Sequence, residues 1–236
     1  MSIRFDVPGD RCGWPGCMLF DLDGTLIDSA PDIAAAVNEL LAQDGLGPLT
    51  VQQVRAMIGR GVPVLVERAY AACGLPLAGQ VLGDAANRMS SIYARHLTNL
   101  TVLMPGALET VAAFAKAGVR VAVVSNKPNA FTREILDRYG LSPYLAATQG
   151  AEEGLAKKPA PDMLLAAIAK AGSQPSRTLM IGDSEADVQS ARAAHIPVVI
   201  VRGGYTTTAP EKLGADLVIG ALGELPNAIE RLKEPA

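Results

Sequence analysis

Between Met18 and Ser29 the chain reads Met-Leu-Phe-Asp-Leu-Asp-Gly-Thr-Leu-Ile-Asp-Ser, and this stretch narrows the folds open to it. Met18, Leu19 and Phe20 form a short apolar run suited to a buried strand, and the run stops at Asp21. Asp23 follows beside Gly24, which lets the backbone turn, and Thr25, a small hydroxyl donor. A lone Asp-Gly after a strand is usually a solvated turn. Two carboxylates crowding an apolar run point elsewhere: at the carboxyl end of a parallel strand they stand where open α/β sheets bind ligands, and paired oxygens suit a hard cation such as Mg²⁺.

A chain of 236 residues can bury a sizeable core as one domain, or as one domain with an insertion. Its net charge of −3 comes with no basic patch, which argues against a nucleic-acid partner. Apolar runs stay below the roughly 18 residues of a spanning helix, and Met1 to Trp14 holds no apolar signal core. The expectation is a soluble cytoplasmic protein with no membrane partner; oligomeric state is not legible. Cys12, Cys17 and Cys73 lack metal-site spacing, with only His96 and His195 to assist them, so reduced thiols are expected. None opens a Cys-x₅-Arg loop, which argues against a thiol-based phosphatase. Both histidines read as ordinary helix residues.

Residues 1 to 16, with Pro8-Gly9 and Pro15-Gly16, read as a loose lead-in. After Ser29 the pattern turns helical: Pro31 opens a helix with Ile33, Val37, Leu40 and Leu41 on one face, closed by Gly45. Thr50 can cap a second, carrying Val51, Val54, Met57 and Ile58 up to Gly59-Arg60-Gly61. Further helices are expected over about 62–72 and 81–97, with no strand in the interval. The division predicted is a core of residues 1–29 and 105–236 and an all-α cap of residues 30–104. From Pro105 onward strands and helices alternate. Strands are expected at 119–124, weakly at 144–147, and at 178–181, 198–201 and 217–219; helices fall at 108–117, 130–139, 161–171 and 185–194. Such alternation implies an α/β fold with a doubly wound, parallel, Rossmann-like sheet.

Three strand runs then end in Asp21, Ser125 and Asp183 on one sheet edge. Counting neighbours, that edge offers Asp21, Asp23, Asp183 and Asp187, the hydroxyl and amide of Ser125 and Asn126, and the ammonium of Lys158. With no histidine in the set, Ser-His-Asp acyl transfer is disfavoured, and no phosphate loop of the Gly-x₄-Gly-Lys type is present. Carboxylates, a cation and a lysine suit phosphoryl transfer, which is mostly positioning and charge stabilisation. An aspartate approaching a phosphate dianion is repelled by about 4 kcal/mol per charge pair at 4 Å and effective dielectric about 20. Mg²⁺ together with Lys158 could reverse that, making Asp21 a nucleophile and Asp23 a general acid and base.

The motifs Asp21-Leu22-Asp23-Gly24-Thr25, Ser125-Asn126-Lys127, Lys158-Pro159 and Gly182-Asp183-Ser184-Glu185-Ala186-Asp187 occur in order, and with them the chain resembles the haloacid dehalogenase superfamily of phosphatases, within it the phosphoglycolate phosphatase-like group. The resemblance implies a Rossmann-like core with a helical cap and Mg²⁺-dependent hydrolysis of small phosphorylated metabolites, 2-phosphoglycolate foremost. It makes Asp21 nucleophile and metal ligand, Asp23 acid–base with its backbone carbonyl on the metal, and Asp183 a metal ligand. Asp187 would orient water or Lys158, and Ser125 and Asn126 would hold the transferring phosphate. Asp23 speaks for hydrolysis over a lasting aspartyl phosphate, and for phosphate over halide. The Gly59-Arg60-Gly61 loop is similar to a cap loop facing the site, with Arg60 reading an anionic part of the substrate. Tyr205 is a further rim candidate. Another metabolite such as a sugar phosphate, a phosphosugar mutase, and a phosphate-sensing protein without turnover are the alternatives.

Overall fold

A computed structural model describes residues 14–233. The calls on Cys12 and on most of the lead-in lie outside the described residues. Six parallel strands make the central sheet in the order β5-β4-β1-β6-β7-β8, from β1 (Cys17–Phe20), β4 (Arg120–Pro128), β5 (Ala147–Ala151), β6 (Thr178–Gly182), β7 (Val198–Val201) and β8 (Leu217–Ile219). The order runs outward from β1 in both directions, so the winding reverses between β1 and β6. That reversal opens a crevice at the carboxyl ends of the strands.

The two faces of the sheet follow from alternation along each strand. Met18, Phe20, Val121, Val123, Leu179 and Ile181 pack on one side with Val111 and Phe114 of α5 (Ala107–Lys116) and Ile135 of α6 (Asn129–Arg138). Cys17, Leu19, Ala122, Val124 and Met180 face the other, under Leu164 and Ile168 of α7 (Asp162–Lys170) and Val188 of α8 (Glu185–Ala193). β1, β4 and β6 are buried along nearly their whole length, as central parallel strands must be.

Between β2 (Ile27–Asp28) and β3 (Val102–Leu103) lie four helices: α1 (Ala30–Gln43), α2 (Val51–Arg55), α3 (Val62–Ala72) and α4 (Gly79–His96). Thr50 accepts a hydrogen bond from the Gln53 N–H in a reciprocal capping box, as its position before the helix foretold. The β2–β3 pair is antiparallel and joins the two chain crossings into and out of these helices. Asp32, fully buried, secures the exit: its carboxylate accepts from the N–H groups of Leu100 and Thr101 and from the Thr101 hydroxyl.

Several expectations need correction. The 30–104 interval does contain a strand, β3, too short at two residues to show a periodicity. β5 begins at Ala147, while Ser142–Tyr144 forms a 3₁₀ turn. β4 runs on through Ser125, Asn126 and Lys127 to Pro128, beyond the end expected at Val124, with a register shift between Val124 and Pro128. α2 stops at Arg55, short of Met57 and Ile58. A C-terminal helix, α9 (Leu225–Lys233), was not anticipated. His195 lies beyond α8 at φ 55°, and His96 ends α4 with Nε2 2.7 Å from Glu39.

Candidate active site

Register places the functional residues. Phe20 is level with Val123 on one side and Ile181 on the other, so Asp21, Val124 and Gly182 lie abreast at the sheet edge. Asp183 and Ser125 follow by one residue. The edge is the floor of a cavity of about 180 Å³, whose far wall comes from α1, α3 and α4 and the stretch between α2 and α3, with Ala56, Ile58 and the Gly59-Arg60-Gly61 loop. Asp21, Asp23, Ser125, Asn126, Lys158, Asp183 and Arg60 all line it.

Lys158 is the hub. Its buried ammonium donates to Asp21 Oδ1 at 2.7 Å, Asp187 Oδ1 at 2.6 Å and the Val124 carbonyl at 3.0 Å, using all three of its protons. Burial opposes its charge, and Asp187 and Asp21 more than restore it, holding the ammonium above its ordinary range. Asn126 fixes the backbone of this lysine: Oδ1 accepts the Lys158 N–H at 2.9 Å, and Nδ2 donates to the Lys158 carbonyl at 2.9 Å and to the Gly59 carbonyl at 2.8 Å. Both amide protons of Asn126 are thus engaged, and its side chain has no donor left for a phosphate. Ser125 Oγ accepts the Lys127 N–H at 3.2 Å, and its own proton can turn to the cavity.

Asp183 approaches the backbone so closely that only glycine fits beside it. A Cβ on Gly24, at φ +89°, would stand 2.5 Å from Asp183 Oδ2, and one on Gly204 would stand 2.2 Å from Asp183 Cβ. The Tyr205 N–H donates to Oδ2 at 2.6 Å, and Thr25 Oγ1 reaches Oδ1 at 3.4 Å. Asp187 accepts from the Ser184 N–H and hydroxyl at the start of α8, at 3.1 and 2.7 Å.

Asp21, Asp183 and Asp187 each bring a carboxylate oxygen within 4.8 Å of the others. Asp187 is the most heavily bonded of the three, Oδ1 to Lys158 and Oδ2 to the Asp183 N–H and both Ser184 donors, which leaves Asp21 Oδ2 and the weakly held Asp183 Oδ1 as the less engaged donors for a cation. Burial pushes the Asp21 carboxyl up to about 7, Lys158 pulling against it and Asp187 adding to it. Burial also raises Asp183 well above the usual carboxylate range, with Asp187 and Asp21 reinforcing the shift. Four carboxylates around the cavity floor face two ammonium groups, those of Lys158 and Lys127. Counted as ionised, the four would leave an excess of two negative charges, and the upward shifts of Asp21 and Asp183 show how unfavourable that is without a counter-ion; oxygen donors held by backbone and glycine in such a site fit a hard divalent cation.

Asp23 lies outside that carboxylate group. Its Oδ1 accepts from Ser29 Oγ at 2.5 Å and from Lys127 Nζ at 2.7 Å. Lys127 also donates to the Tyr93 hydroxyl at 2.7 Å. Arg60 is half-exposed, with Glu185 at 3.6 Å. Sequence reasoning quoted Lys127 only as the end of a motif and did not single out Tyr93; a cation directly after the Ser-Asn pair was the available signal for the first. It undervalued Tyr205, which is buried: its hydroxyl donates to Asp28 Oδ1 at 2.8 Å and accepts from the Ser29 and Ala30 N–H groups.

Residues 16–195 match the family model of haloacid dehalogenase-like hydrolases. A phosphoglycolate phosphatase of Caulobacter vibrioides is 41% identical over 228 residues, covering 97% of this chain and 94% of its own. One from Rhodospirillum rubrum is 37% identical, covering 85% of each chain. A crystal structure of a predicted phosphoglycolate phosphatase from Haemophilus somnus superposes with TM-score 0.85 at 27% identity, over 93% of this chain and 99% of the other. With the parallel sheet and the cluster at its edge, these matches show that the chain belongs to the haloacid dehalogenase-like hydrolases.

Proposed function

We propose that this protein is a Mg²⁺-dependent phosphatase of small phosphorylated metabolites, with 2-phosphoglycolate its foremost substrate, acting through an aspartyl phosphate on Asp21. The observation that carries the reading is the Lys158 ammonium clasped between Asp21 and Asp187 beside the crowded Asp183, in a chain 41% identical to a named phosphoglycolate phosphatase. Asp21 Oδ2, the oxygen that Lys158 does not hold, attacks phosphorus. The P–O bond to the leaving group breaks, its electron pair stays on that oxygen, and Asp23 supplies the proton. Asp23 then takes a proton from water, whose oxygen attacks phosphorus and returns Asp21 as a carboxylate with release of phosphate.

Asp21 and Asp183, with the Asp23 backbone carbonyl, would hold Mg²⁺, which when bound supplies charge neutralisation for phosphate and Asp21 together. Lys158 steadies the charge on the transferring group, and Ser125 donates its hydroxyl proton to a phosphoryl oxygen. Asn126 serves this site by fixing Lys158, since its own donors are spent. Asp187 holds Lys158 and leaves the metal to the other two acids. Residues 30–104 form the cap and the remainder the catalytic core, with Arg60 reading the substrate's second anionic group. The cytoplasm is the expected compartment, a reading supported by the free thiols of Cys17 and Cys73.

The test is phosphate release from 2-phosphoglycolate with Mg²⁺ present or chelated, for the wild type and Asp21→Asn. Asp21→Asn is expected to lower kcat by at least about 10⁴-fold. An isomer as product would indicate a mutase, and binding without turnover a sensor. Full activity of Asp21→Asn would refute the nucleophile.

A further inference from the structure

The cavity holds a second buried ammonium, and the chemistry above leaves it unused. Lys127 Nζ lies between Asp23 Oδ1 and the Tyr93 hydroxyl, 2.7 Å from each, and 4.9 Å from the Tyr93 ring centroid. The lysine side chain is 4% exposed, and Tyr93 is buried. These three residues come from separate parts of the fold: Asp23 from the loop after β1, Lys127 from the extension of β4, and Tyr93 from α4 across the cavity. Ser29 Oγ, at the entry to α1, reaches the same Asp23 oxygen as Lys127. Asp23 Oδ1 is thereby pinned twice, while Oδ2 has no hydrogen-bond partner among the described residues. Tyr93 is itself braced edge-on against Phe131 of α6, with ring centroids 5.7 Å apart.

We propose that Lys127 is a positioning residue for Asp23, and that the Tyr93 hydroxyl sets Lys127, so that the acid–base carboxyl is aligned only with α4 seated over the sheet edge. The inference rests on the reading of Asp23 as acid and base. A buried ammonium has three protons to place, and it swings towards whichever acceptors remain. With Tyr93 in position, two of its acceptors lie on opposite sides of the cavity, and the Asp23 carboxylate has one orientation that meets both Lys127 and Ser29. Without the tyrosine hydroxyl the ammonium loses its opposing anchor, and Oδ2 loses its aim at the leaving-group oxygen.

A proton donor matters in proportion to how poorly the leaving group departs unaided. An alkoxide needs the proton; p-nitrophenolate does not. The second-order constant kcat/KM reports only steps up to release of the alcohol, so it isolates the acid role of Asp23 from its later role towards water. The experiment measures kcat/KM for Lys127→Met and Tyr93→Phe on p-nitrophenyl phosphate, phenyl phosphate, glycerol phosphate and 2-phosphoglycolate. For Lys127→Met the loss is expected to grow along that series, from about 3-fold on the nitrophenyl ester to about 100-fold on both alkyl esters. Tyr93→Phe is expected to give a shallower gradient in the same direction, from no loss on the nitrophenyl ester to about 10-fold on both alkyl esters.

Equal losses on all esters would overturn the proposal and leave Lys127 with a structural role. A loss on 2-phosphoglycolate that glycerol phosphate does not share would overturn it in favour of direct binding of the substrate carboxylate. Turnover of the nitrophenyl ester certifies that each variant is folded, and Tyr93→Phe, which removes a single oxygen, carries the test if Lys127→Met does not fold. A wild type inactive on 2-phosphoglycolate but active on the other esters would refute that substrate and leave the leaving-group comparison intact.

Discussion

The two walls of the cavity are built on opposite plans. On the sheet side, Asp21, Asp183, Asp187, Asn126 and Lys158 are buried and bonded to one another or to backbone at 2.6–3.3 Å, apart from the longer Thr25 contact. On the helical side the lining is mostly apolar, from Ile33, Ile58, Val62, Leu65 and Met89, with Arg60 and Arg68 as its cations. Arg60 has only a loose contact with Glu185, both side chains about half-exposed, and Arg68 donates to the Met57 carbonyl. One wall holds its polar groups rigidly before any ligand arrives; the other, the Tyr93 hydroxyl on Lys127 apart, leaves them adjustable. Rigidity suits groups that must meet charge as it develops in a transition state, whereas adjustable groups suit recognition of the part of the substrate that does not react.

The difference is broken most sharply at Lys158. Lys158→Met keeps the aliphatic stem and removes the charge, leaving Asp21 and Asp187 buried beside each other. Removing one partner of a buried ionic cluster costs about 3–5 kcal/mol, so the denaturation midpoint should fall markedly along with activity. A drop in kcat of about 10³-fold is expected from loss of charge stabilisation at the phosphoryl group. If kcat falls with no change in stability, the sheet wall is less interdependent than its hydrogen bonds imply.

A smaller effect of the same origin is a pH dependence. Asp21 titrates near 7 in the folded, cation-free protein and near 3.8 when exposed. Between those values the folded state binds the extra proton, so stability is greatest below pH 4 and falls as pH rises to about 7, by at most about 1.4 kcal/mol per unit from this group. The melting temperature of the chelated protein should therefore decline from pH 5 to 7.5, beyond the change seen in Asp21→Asn. Added Mg²⁺ should flatten the slope and raise the melting temperature, and Asp183→Asn should abolish that stabilisation. An identical slope in Asp21→Asn would locate the titration elsewhere.

The sheet wall was also the more legible half. Apolar runs ending in Asp21 and in Gly182-Asp183 announce buried parallel strands whose polar residues share one edge, and register delivers them there. β5 was misplaced because Ala-Thr-Gln-Gly-Ala has no aliphatic run; its partly exposed position at the sheet edge asks for none. α9 did carry a signal in Leu225, Ala228, Ile229 and Leu232, spaced at three and four residues, which was passed over. Asn126 was assigned to phosphate by the family resemblance, on the motif Ser125-Asn126-Lys127. That both its protons would be taken by carbonyls of Gly59 and Lys158 depends on the distant arrangement of two loops, which no local pattern encodes. Tyr93 was hidden for the same reason, as one aromatic on an amphipathic helix.

The gentlest probe of the comparison lies on the helical wall. Arg60 sits between Gly59 at φ +115° and Gly61 at φ +84°, a backbone only glycine adopts readily on both sides, so the loop can present the guanidinium at the cavity mouth without strain of its own. Its half-exposed contact with Glu185 contributes little, as exposed ion pairs generally do, and the arginine can be drawn away by a better anion. Arg60→Ala should leave the melting temperature unchanged and raise KM for 2-phosphoglycolate about 10-fold, with KM for p-nitrophenyl phosphate, which has no second anion, hardly moved. A matching rise for both substrates would mean that Arg60 attracts the phosphoryl group itself. Recognition and chemistry would then share the arginine, and the two walls would divide their labour less cleanly than their hydrogen bonding suggests.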